Sequence, residues 1–388
     1  MKVCFLCSEY PPSPHGGIGS VIQVLARALV RAGHEVRVVG VYPNGHRGQE
    51  IEEDQGVQIW RLRAPASRFG WPVARYRLWR QVARWCRNGE IDLVEAPDWE
   101  GWIAGWRRLP VPVIVRLHGS VSYFQSELGR PVRKSMFLLE RAAMRRADFW
   151  CSVSRYTAEK TKQVFGLRSG PDAVLYNPVE ASLNASANDR SKTRVVFTGT
   201  LTSKKGIVSL IESWPRVRAA CESAELHIFG KDGKTETGQS MRGFLEGQLN
   251  GDVGRHVHFH GHVAREEILS TLRTARVSVF PSYAEAFAMA PLESMSQGCP
   301  TIYSQRGSGP ELIETGKHGL LIDPDQTQEL ADAMIDVLTD DELAARLSAE
   351  GRKRVRDSFS VETLLTQNER FYEQCCERFR TKGQQRCS

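Results

Sequence analysis

Two glutamates in the stretch YAEAFAMAPLESMSQGCP, Glu285 and Glu293, stand eight positions apart with Pro291 between them. The run VSVFPS before them reads as a strand that ends at Pro281, so YAEAFA is a loop. Pro291 suits the first turn of a helix, where its missing N–H costs nothing. Gly298, with Pro300 just beyond, ends that helix. Glu285 is thereby placed in the loop and Glu293 about one turn inside the helix. The N–H groups of Ala286, Phe287 and Ala288 fall at the helix start, where free amides and the helix dipole favour phosphate. A fully helical separation of this length is roughly 12 Å, and a loop start shortens it. The spacing suits a nucleotide sugar, with one carboxylate at the sugar and the other at the ribose hydroxyls. The plainer alternative is a solvated helix face.

Other residues invite the same scrutiny. His118 closes the apolar run VIVRLHGS, and a lone histidine at a strand end is either a satisfied polar group or a functional one. Gly16 and Gly17 open a helical pattern over 17–32, and a glycine loop there permits close backbone approach and positive φ. GGIGS faintly resembles a dinucleotide fingerprint, but VRVVGVYPNG lacks the acidic residue expected after the second strand. Asp323-Pro324-Asp325 has the form of a divalent-cation motif, yet it lies in a loop where turn chemistry explains it. Cys4 and Cys7 form C-x-x-C, but residues i and i+3 of a strand face opposite sides and no second ligand pair exists. They read as buried strand thiols, and no metal site is evident.

The elements that must position these residues alternate along the chain. Strands are expected at 3–7, 35–41, 57–62, 91–95, 112–117, 149–153 and 173–176, then at 194–197, 225–229, 256–260, 277–280, 301–304 and 320–322. Helices are expected at 207–221, 266–273, 288–297 and 328–338, with two more, DELAARLSAEGRKRVRDS and VETLLTQNERFYEQCCERF, near the end. This βαβα order predicts an α/β fold with two doubly wound parallel sheets. The polar stretch 181–193 reads as a linker. The expected division is an N-terminal domain over 1–180, a C-terminal domain over 194–360, and a final helix and tail over 361–388. Ligands of such sheets bind beyond the strands' carboxyl ends, so a cleft between the domains is the expected site.

Composition narrows the classes. The 388 residues, 41% hydrophobic and 25% charged, are ordinary for a soluble globular protein. No apolar run approaches the roughly 20 residues of a membrane-spanning helix, and the N-terminus reads as a strand rather than a signal peptide. Nine cysteines, an odd number at irregular spacing, fit a reduced compartment. A cytoplasmic protein is expected. Residues 1–180 hold 26 Lys and Arg against 17 Asp and Glu, so this half carries the basic excess. That points to an anionic membrane surface or an acidic acceptor. Nucleic acid has the least support, because no RNA- or DNA-binding module is present. Residues 61–87 hold eight arginines and no acid, interleaved with Phe69, Trp71, Tyr76, Trp79 and Trp85. If 72–87 is helical, Arg77, Arg80, Arg84 and Arg87 share one face, and Leu78, Trp79, Val82, Trp85 and Cys86 face away. This suits contact with anionic lipid or an acceptor, with an ordinary sheet-covering helix as the alternative.

The E-x7-E pattern of Glu285 and Glu293, followed by GCPTIYSQRGSGPELIETGKHGLLIDPD, resembles the donor-site signature of the retaining GT-B glycosyltransferases of family 4. Four further segments resemble that family in order: YPPSPHGGIGSVIQVLARALVRAGHEVRVV, VIVRLHGS, VLYNPVE and FTGTLTSKKGI. Together they cover most of residues 1–330. The resemblance implies a GT-B fold of two Rossmann-like domains facing a central cleft, with the C-terminal helices packing back on the N-terminal domain. It also implies residue roles. Gly16 and Gly17 approach the diphosphate. Lys205, in a phosphate loop with Gly199 and Thr200, neutralises the leaving group. His118 positions the donor sugar. Glu285 meets the sugar and Glu293 the ribose. The chain departs from the family at Thr200, where an arginine is usual, and at Ala286 and Ala288, where glycines are frequent. Thr200 offers a hydroxyl but no charge, and Lys204 is the neighbouring cation.

The implied activity is retaining transfer of a sugar from a UDP- or GDP-linked donor to the hydroxyl of a saccharide or lipid-linked acceptor, with no cofactor or metal. A peripheral position on the cytoplasmic face of a membrane would serve such an acceptor. The other readings are a sugar-nucleotide epimerase or hydrolase on the same fold, which needs no acceptor, and a non-catalytic binding module.

Overall fold

Segments such as VCFL and VVFT carry apolar residues in nearly unbroken runs, the pattern of parallel strands covered on both faces. In the computed structural model they are buried central strands. The structure describes residues 1–43, 49–64, 70–180, 190–249 and 251–387. It divides into two units, Met1–Pro178 with Val361–Ser388, and Val179–Ser360. Residues 181–189 of the expected linker lie outside the described residues.

The first unit holds β1 (Lys2–Leu6), β2 (Glu35–Tyr42), β3 (Ile51–Asp54), β4 (Val57–Arg63), β5 (Leu93–Pro97), β6 (Val113–Leu117), β7 (Phe149–Ser152) and β8 (Ala173–Val174). They form one sheet in the order β3-β4-β2-β1-β5-β6-β7-β8. Neighbours are parallel except β3 and β4, an antiparallel pair. Strand β3 was not expected, because IEED has no β-branched run; it pairs on one side only, at the sheet edge. Helices α1 (Gly17–Arg31), α2 (Gly70–Arg87), α3 (Val121–Glu127), α4 (Lys134–Arg146) and α5 (Arg155–Phe165) lie between the strands. Apolar residues of α2, α4 and α5 pack on one face of the sheet, with Cys4. The other face carries α1 and Cys7. The two cysteines therefore point to opposite sides, and burial pushes the Cys7 thiol up to about 12.

The second unit holds β9 (Arg194–Thr198), β10 (Glu225–Phe229), β11 (Val257–Gly261), β12 (Val277–Phe280), β13 (Thr301–Ser304) and β14 (Leu320–Ile322). They form an all-parallel sheet ordered β11-β10-β9-β12-β13-β14. Its helices are α6 (Ile207–Ala220), α7 (Met241–Gln248), α8 (Gly251–Arg255), α9 (Arg265–Thr274), α10 (Met289–Ser296), α11 (Gly309–Leu312), α12 (Thr327–Thr339) and α13 (Asp341–Ser358). Helices α6, α7, α12 and α13 share a core on one face, around the fully buried Trp214. Leu272 of α9 packs on the other, with Val196 and Phe229.

Only the last helix, α14 (Val361–Cys387), returns to the first unit; α13 stays in the second. The expectation that both C-terminal helices pack back is corrected to one. Phe371, Tyr372, Cys375 and Cys376 of α14 join the core beside α1. A buried polar cluster sits within that contact. The Arg116 guanidinium donates to both oxygens of Glu95 at 2.8 and 2.9 Å and to Asn368 Oδ1 at 2.6 Å. The Tyr372 hydroxyl donates to Glu95 Oε2 at 2.8 Å. All four residues are buried, so each charge relies on these partners in place of water.

Each sheet reverses its strand order once, between β1 and β5 and between β9 and β12. Loops leaving the carboxyl ends of those strands diverge and leave room for a ligand.

Removing one partner of a buried ion pair leaves the other charge without compensation, at a cost of about 3–5 kcal/mol. Glu95→Gln is therefore expected to lower the first unit's unfolding free energy by that order, read as a fall in its urea midpoint. A midpoint equal to the wild type's would show that the cluster does not hold α14 to the sheet.

Candidate active site

The loop after β9 is built on backbone contact. Ser203–Lys205 form one 3-10 turn and Gly206 follows with φ 71°. A Cβ at Gly206 would stand 1.8 Å from the carbonyl oxygen of Pro281, so only glycine lets this turn lie against the loop after β12. The Tyr283 N–H donates to the Lys204 carbonyl at 2.8 Å, which ties the two loops together. That contact sets Lys205 beside Glu285, and the Lys205 ammonium donates to Glu285 Oε1. Burial alone would raise the Glu285 pKa, but the ammonium groups of Lys205 and Lys204 and hydrogen bonds from Lys205 and Ser282 hold it below the usual range. The carboxylate is thus ionised at neutral pH. Burial lowers the Lys204 pKa, with the Glu285 charge acting against it, so both lysines of the loop lie within electrostatic reach of Glu285. Thr200 is exposed and Gly199 half-buried at the loop's start.

Ala286, Phe287 and Ala288 are buried, and Ala288 caps α10 without a side-chain hydrogen bond. Phe287 packs near Phe359, with ring centroids 5.8 Å apart. Ala286 and Phe287 already have partners within the protein, which helps fix the loop. Glu293 sits inside α10 as expected, but not as an isolated carboxylate. Arg265, at the start of α9, donates to its Oε1 at 2.9 Å and reaches Glu180 at 3.3 Å. Arg265 is a site residue that sequence reasoning missed, because its partner is 28 positions away. Asp323 and Asp325 are drawn to Arg306, the first at 2.7 Å, and Asp323 Oδ1 also accepts the Asp325 N–H at 3.1 Å. Their geometry is that of a clamped turn.

In the first unit, β6 delivers His118 and the neighbouring β5 delivers Asp98. The His118 N–H donates to Asp98 Oδ1 at 2.9 Å, while the buried Oδ2 has no hydrogen-bond partner. Burial, with the Glu140 charge adding to it against hydrogen bonds from the His118 and Gly119 backbone, pushes the Asp98 pKa up to about 8. Burial and the Arg116 charge push His118 down to about 3. At neutral pH the histidine is neutral and the aspartic acid largely protonated, so this pair offers hydrogen bonds rather than charge. Asp98 was not anticipated; the only cue was its place just after the VEAP strand.

Gly16 caps α1 with φ −107°, and Gly17 also lacks a positive φ. Neither therefore uses the left-handed backbone that glycine permits. A Cβ on Gly17 would meet nothing within 4 Å, so packing does not explain that glycine. Gly19 is the sterically required one, since its Cβ would lie 2.1 Å from the Glu9 carbonyl oxygen. The Glu9 carboxylate accepts the Gly19 N–H at 2.8 Å, which occupies part of the helix terminus with protein charge.

Helix α2 covers the arginine segment. Arg77, Arg80, Arg84 and Arg87 are exposed, while Leu78, Val82, Trp85 and Cys86 are buried and Trp79 half-buried. Tyr76 and Trp71 are also exposed, at 57% and 38%. Arg75 instead turns inward over the Trp71 ring, with its guanidinium on the carbonyl of Gly101. Phe69 lies outside the described residues. No helix among the described residues is long and apolar enough to cross a membrane.

Comparison with known proteins bears on the family and the fold. Residues 15–183 match the family described as Glycosyltransferase Family 4, and residues 179–354 the family described as Glycosyl transferases group 1. A glycogen synthase of Mycobacterium tuberculosis is 25% identical, over 96% of this chain and 94% of its own. A GDP-mannose-dependent alpha-(1-6)-phosphatidylinositol monomannoside mannosyltransferase of the same species is 26% identical, over 94% and 96%. Among solved structures, the sucrose-phosphate synthase of Thermosynechococcus elongatus shares the fold at TM-score 0.80 and 20% identity, over 96% of this chain and 98% of that one. HepE of Anabaena, in complex with UDP and glucose, does so at TM-score 0.73 and 18% identity, over 95% and 98%. Matched in succession by the two family models from residue 15 to residue 354, and built of two Rossmann-like sheets, this chain belongs to the family 4, group 1 glycosyltransferases of GT-B fold.

Proposed function

We propose that this protein is a retaining, metal-independent transferase that moves a sugar from a UDP- or GDP-linked donor to the hydroxyl of a saccharide or lipid-linked acceptor. The observation that carries this reading is the ionised Glu285 held against the Lys205 ammonium at the point where the second sheet reverses its order. Departure of a nucleoside diphosphate builds negative charge on phosphate, and a positioned cation lowers that barrier. Lys205 fills this role, with Lys204 adding the charge that Thr200 lacks. Glu285 takes the hydroxyls of the transferred sugar, and Glu293, oriented by Arg265, takes the ribose. His118 is neutral and contributes a hydrogen bond to the sugar. In the reaction, the bond from the anomeric carbon to the phosphate oxygen breaks and its electron pair leaves with the phosphate. The acceptor oxygen bonds to the same face of that carbon, and its proton passes to the departing phosphate. No protein nucleophile is needed.

The relatives support both halves of this reading. One is named for a GDP-mannose donor and a phosphatidylinositol mannoside acceptor, another for glycogen synthesis. A lipid-linked acceptor in polysaccharide or glycolipid synthesis also gives the exposed arginines of α2 a role, as contacts to anionic lipid at a cytoplasmic membrane surface.

Glu285→Gln and Lys205→Ala are each expected to lower kcat for transfer by about 100-fold or more, with circular dichroism and melting temperature near the wild type's. Assays across a panel of UDP- and GDP-sugars, with and without acceptor, read both donor choice and transfer. Full activity in either variant would refute these assignments, and turnover of donor that ignores every acceptor would favour a hydrolase or epimerase.

Asp98 generates a pH dependence. Its folded pKa of about 8 lies above the roughly 3.9 of an unfolded aspartate. Its protonated form therefore favours the native state below the unfolded value, and that stability is lost as pH rises from about 4 to 8. Asp98→Asn keeps an acceptor for His118 N–H and does not titrate. Its stability relative to wild type should climb across that window by an amount on the order of a few kcal/mol. A pH-independent difference in urea unfolding would remove Asp98 from this role.

For the membrane contact, replacing Arg77, Arg80, Arg84 and Arg87 together with alanine should abolish cosedimentation with phosphatidylglycerol vesicles, and added salt should weaken the wild type's binding. Equal binding by both proteins at low salt would argue against the α2 face.

A further inference from the structure

A second set of chemically capable side chains lies away from the loops that carry Lys205 and Glu285. The segment HVHFHGH places His256, His258, His260 and His262 at alternate positions, and alternation along a strand puts side chains on one face. Strand β11, at the sheet edge, carries His258 and His260. On the adjacent β10, Glu225 and His227 alternate in the same way. The parallel register sets His227 directly beside His258.

The ligating atoms of Glu225, His227 and His258 all lie within 4.8 Å of one another. The two nitrogens of His227 are differently placed. Nδ1 lies 3.0 Å from His260 Nε2. Nε2 is buried without a hydrogen-bond partner and faces Glu225 Oε2 at 3.5 Å. A buried ring nitrogen whose polar neighbour stands at 3.5 Å without hydrogen-bond geometry calls for an explanation at this position. The His260 ring that engages Nδ1 is itself stacked on Phe229, with centroids 4.3 Å apart and planes 7° from parallel.

We propose that Glu225, His227 and His258 bind a first-row divalent transition metal, zinc foremost, that fastens the edge strand β11 to β10. Two imidazoles and one carboxylate are a donor set suited to that ion. A cation central to three atoms no more than 4.8 Å apart would be at most about 2.8 Å from each. Shifts of under about 1 Å then bring the ligands to the roughly 2.0–2.1 Å that zinc takes from imidazole. His260 is a positioning residue: by accepting from Nδ1–H it selects the tautomer that leaves Nε2 for the metal, as partners of ligating histidines do. Arg194, in register with Glu225 on β9, is directed to Thr274 Oγ1 at 3.1 Å. The cluster sits on the face and edge of the sheet, away from the carboxyl ends that lead to Lys205 and Glu285. The metal is therefore structural, and the transfer chemistry does not pass through it.

The test titrates ZnCl2 into the chelator-treated, tag-free full chain by calorimetry and CoCl2 by visible absorption. One saturable equivalent of zinc, cobalt bands of low coordination number and a rise in melting temperature with zinc are expected. His227→Gln retains every histidine of HVHFHGH, so it separates this site from loose chelation by an exposed strand; it should abolish the one-equivalent binding. Glu225→Gln, at a partly exposed side chain, should weaken it strongly. His260→Phe keeps a ring beside Phe229 and should weaken binding about 10–100-fold. Absence of saturable zinc binding, or wild-type affinity in both His227→Gln and Glu225→Gln, would overturn the proposal.

Discussion

The second unit of this protein depends on one close approach of backbone to backbone. Gly206 lies against the Pro281 carbonyl with no room for a side chain, and the Tyr283 amide bonds the Lys204 carbonyl. This joins a loop from the carboxyl end of β9 to one from β12 at the sheet's point of reversal. Lys205 and Glu285, 80 positions apart, become an ion pair as a result. In this partly buried place the ammonium stabilises the ionised form of the Glu285 carboxylate. The carboxylate therefore stays charged although burial alone would raise its pKa. Ala286, Ala288 and Thr200 lie in the same two loops, and the pair forms with these residues in place.

Charge in the first unit is handled differently. Arg116 and Glu95 are buried but satisfied by each other and by Asn368 and Tyr372 of the last helix. This makes the return of α14 a condition for keeping that pair paired. Three residues beyond Glu95 and two beyond Arg116, Asp98 and His118 lack such compensation, and both shift toward their neutral forms. Buried groups with strongly moved protonation equilibria at the carboxyl ends of adjacent strands are the usual mark of a functional site. The same sheet thus holds one buried set fully paired and another shifted to its neutral forms.

Much of the architecture could be read along the chain. The central strands declare themselves by uninterrupted apolar runs, and α1, α10 and α13 by periodicity and their Gly, Pro and Asp boundaries. What escaped was β3, whose acidic sequence is tolerated because it pairs at an edge; the division at 360/361 was read correctly, and only the return of α13 with α14 was not met. The E-x7-E spacing correctly set one glutamate in a loop and the other in a helix. It said nothing of Arg265, which engages Glu293 from another element. Nor did the alternating histidines near residue 260 suggest a cluster, because its key member, His227, lies on a different strand.

The sequence by itself determined the two doubly wound sheets, the loop and helix positions of the glutamates, and the family, because apolar periodicity, turn residues and motifs are local or ordered along the chain. Tertiary structure alone decided the state of each site group: that Glu285 is ionised by Lys205, that Glu293 is bound to Arg265, that Asp98 and His118 are neutral, and that Gly16 and Gly17 need no left-handed backbone. The reason is physical. Protonation and ion pairing depend on distances of a few ångströms and on exclusion of water, and both are set by residues remote in sequence that the sheet brings together.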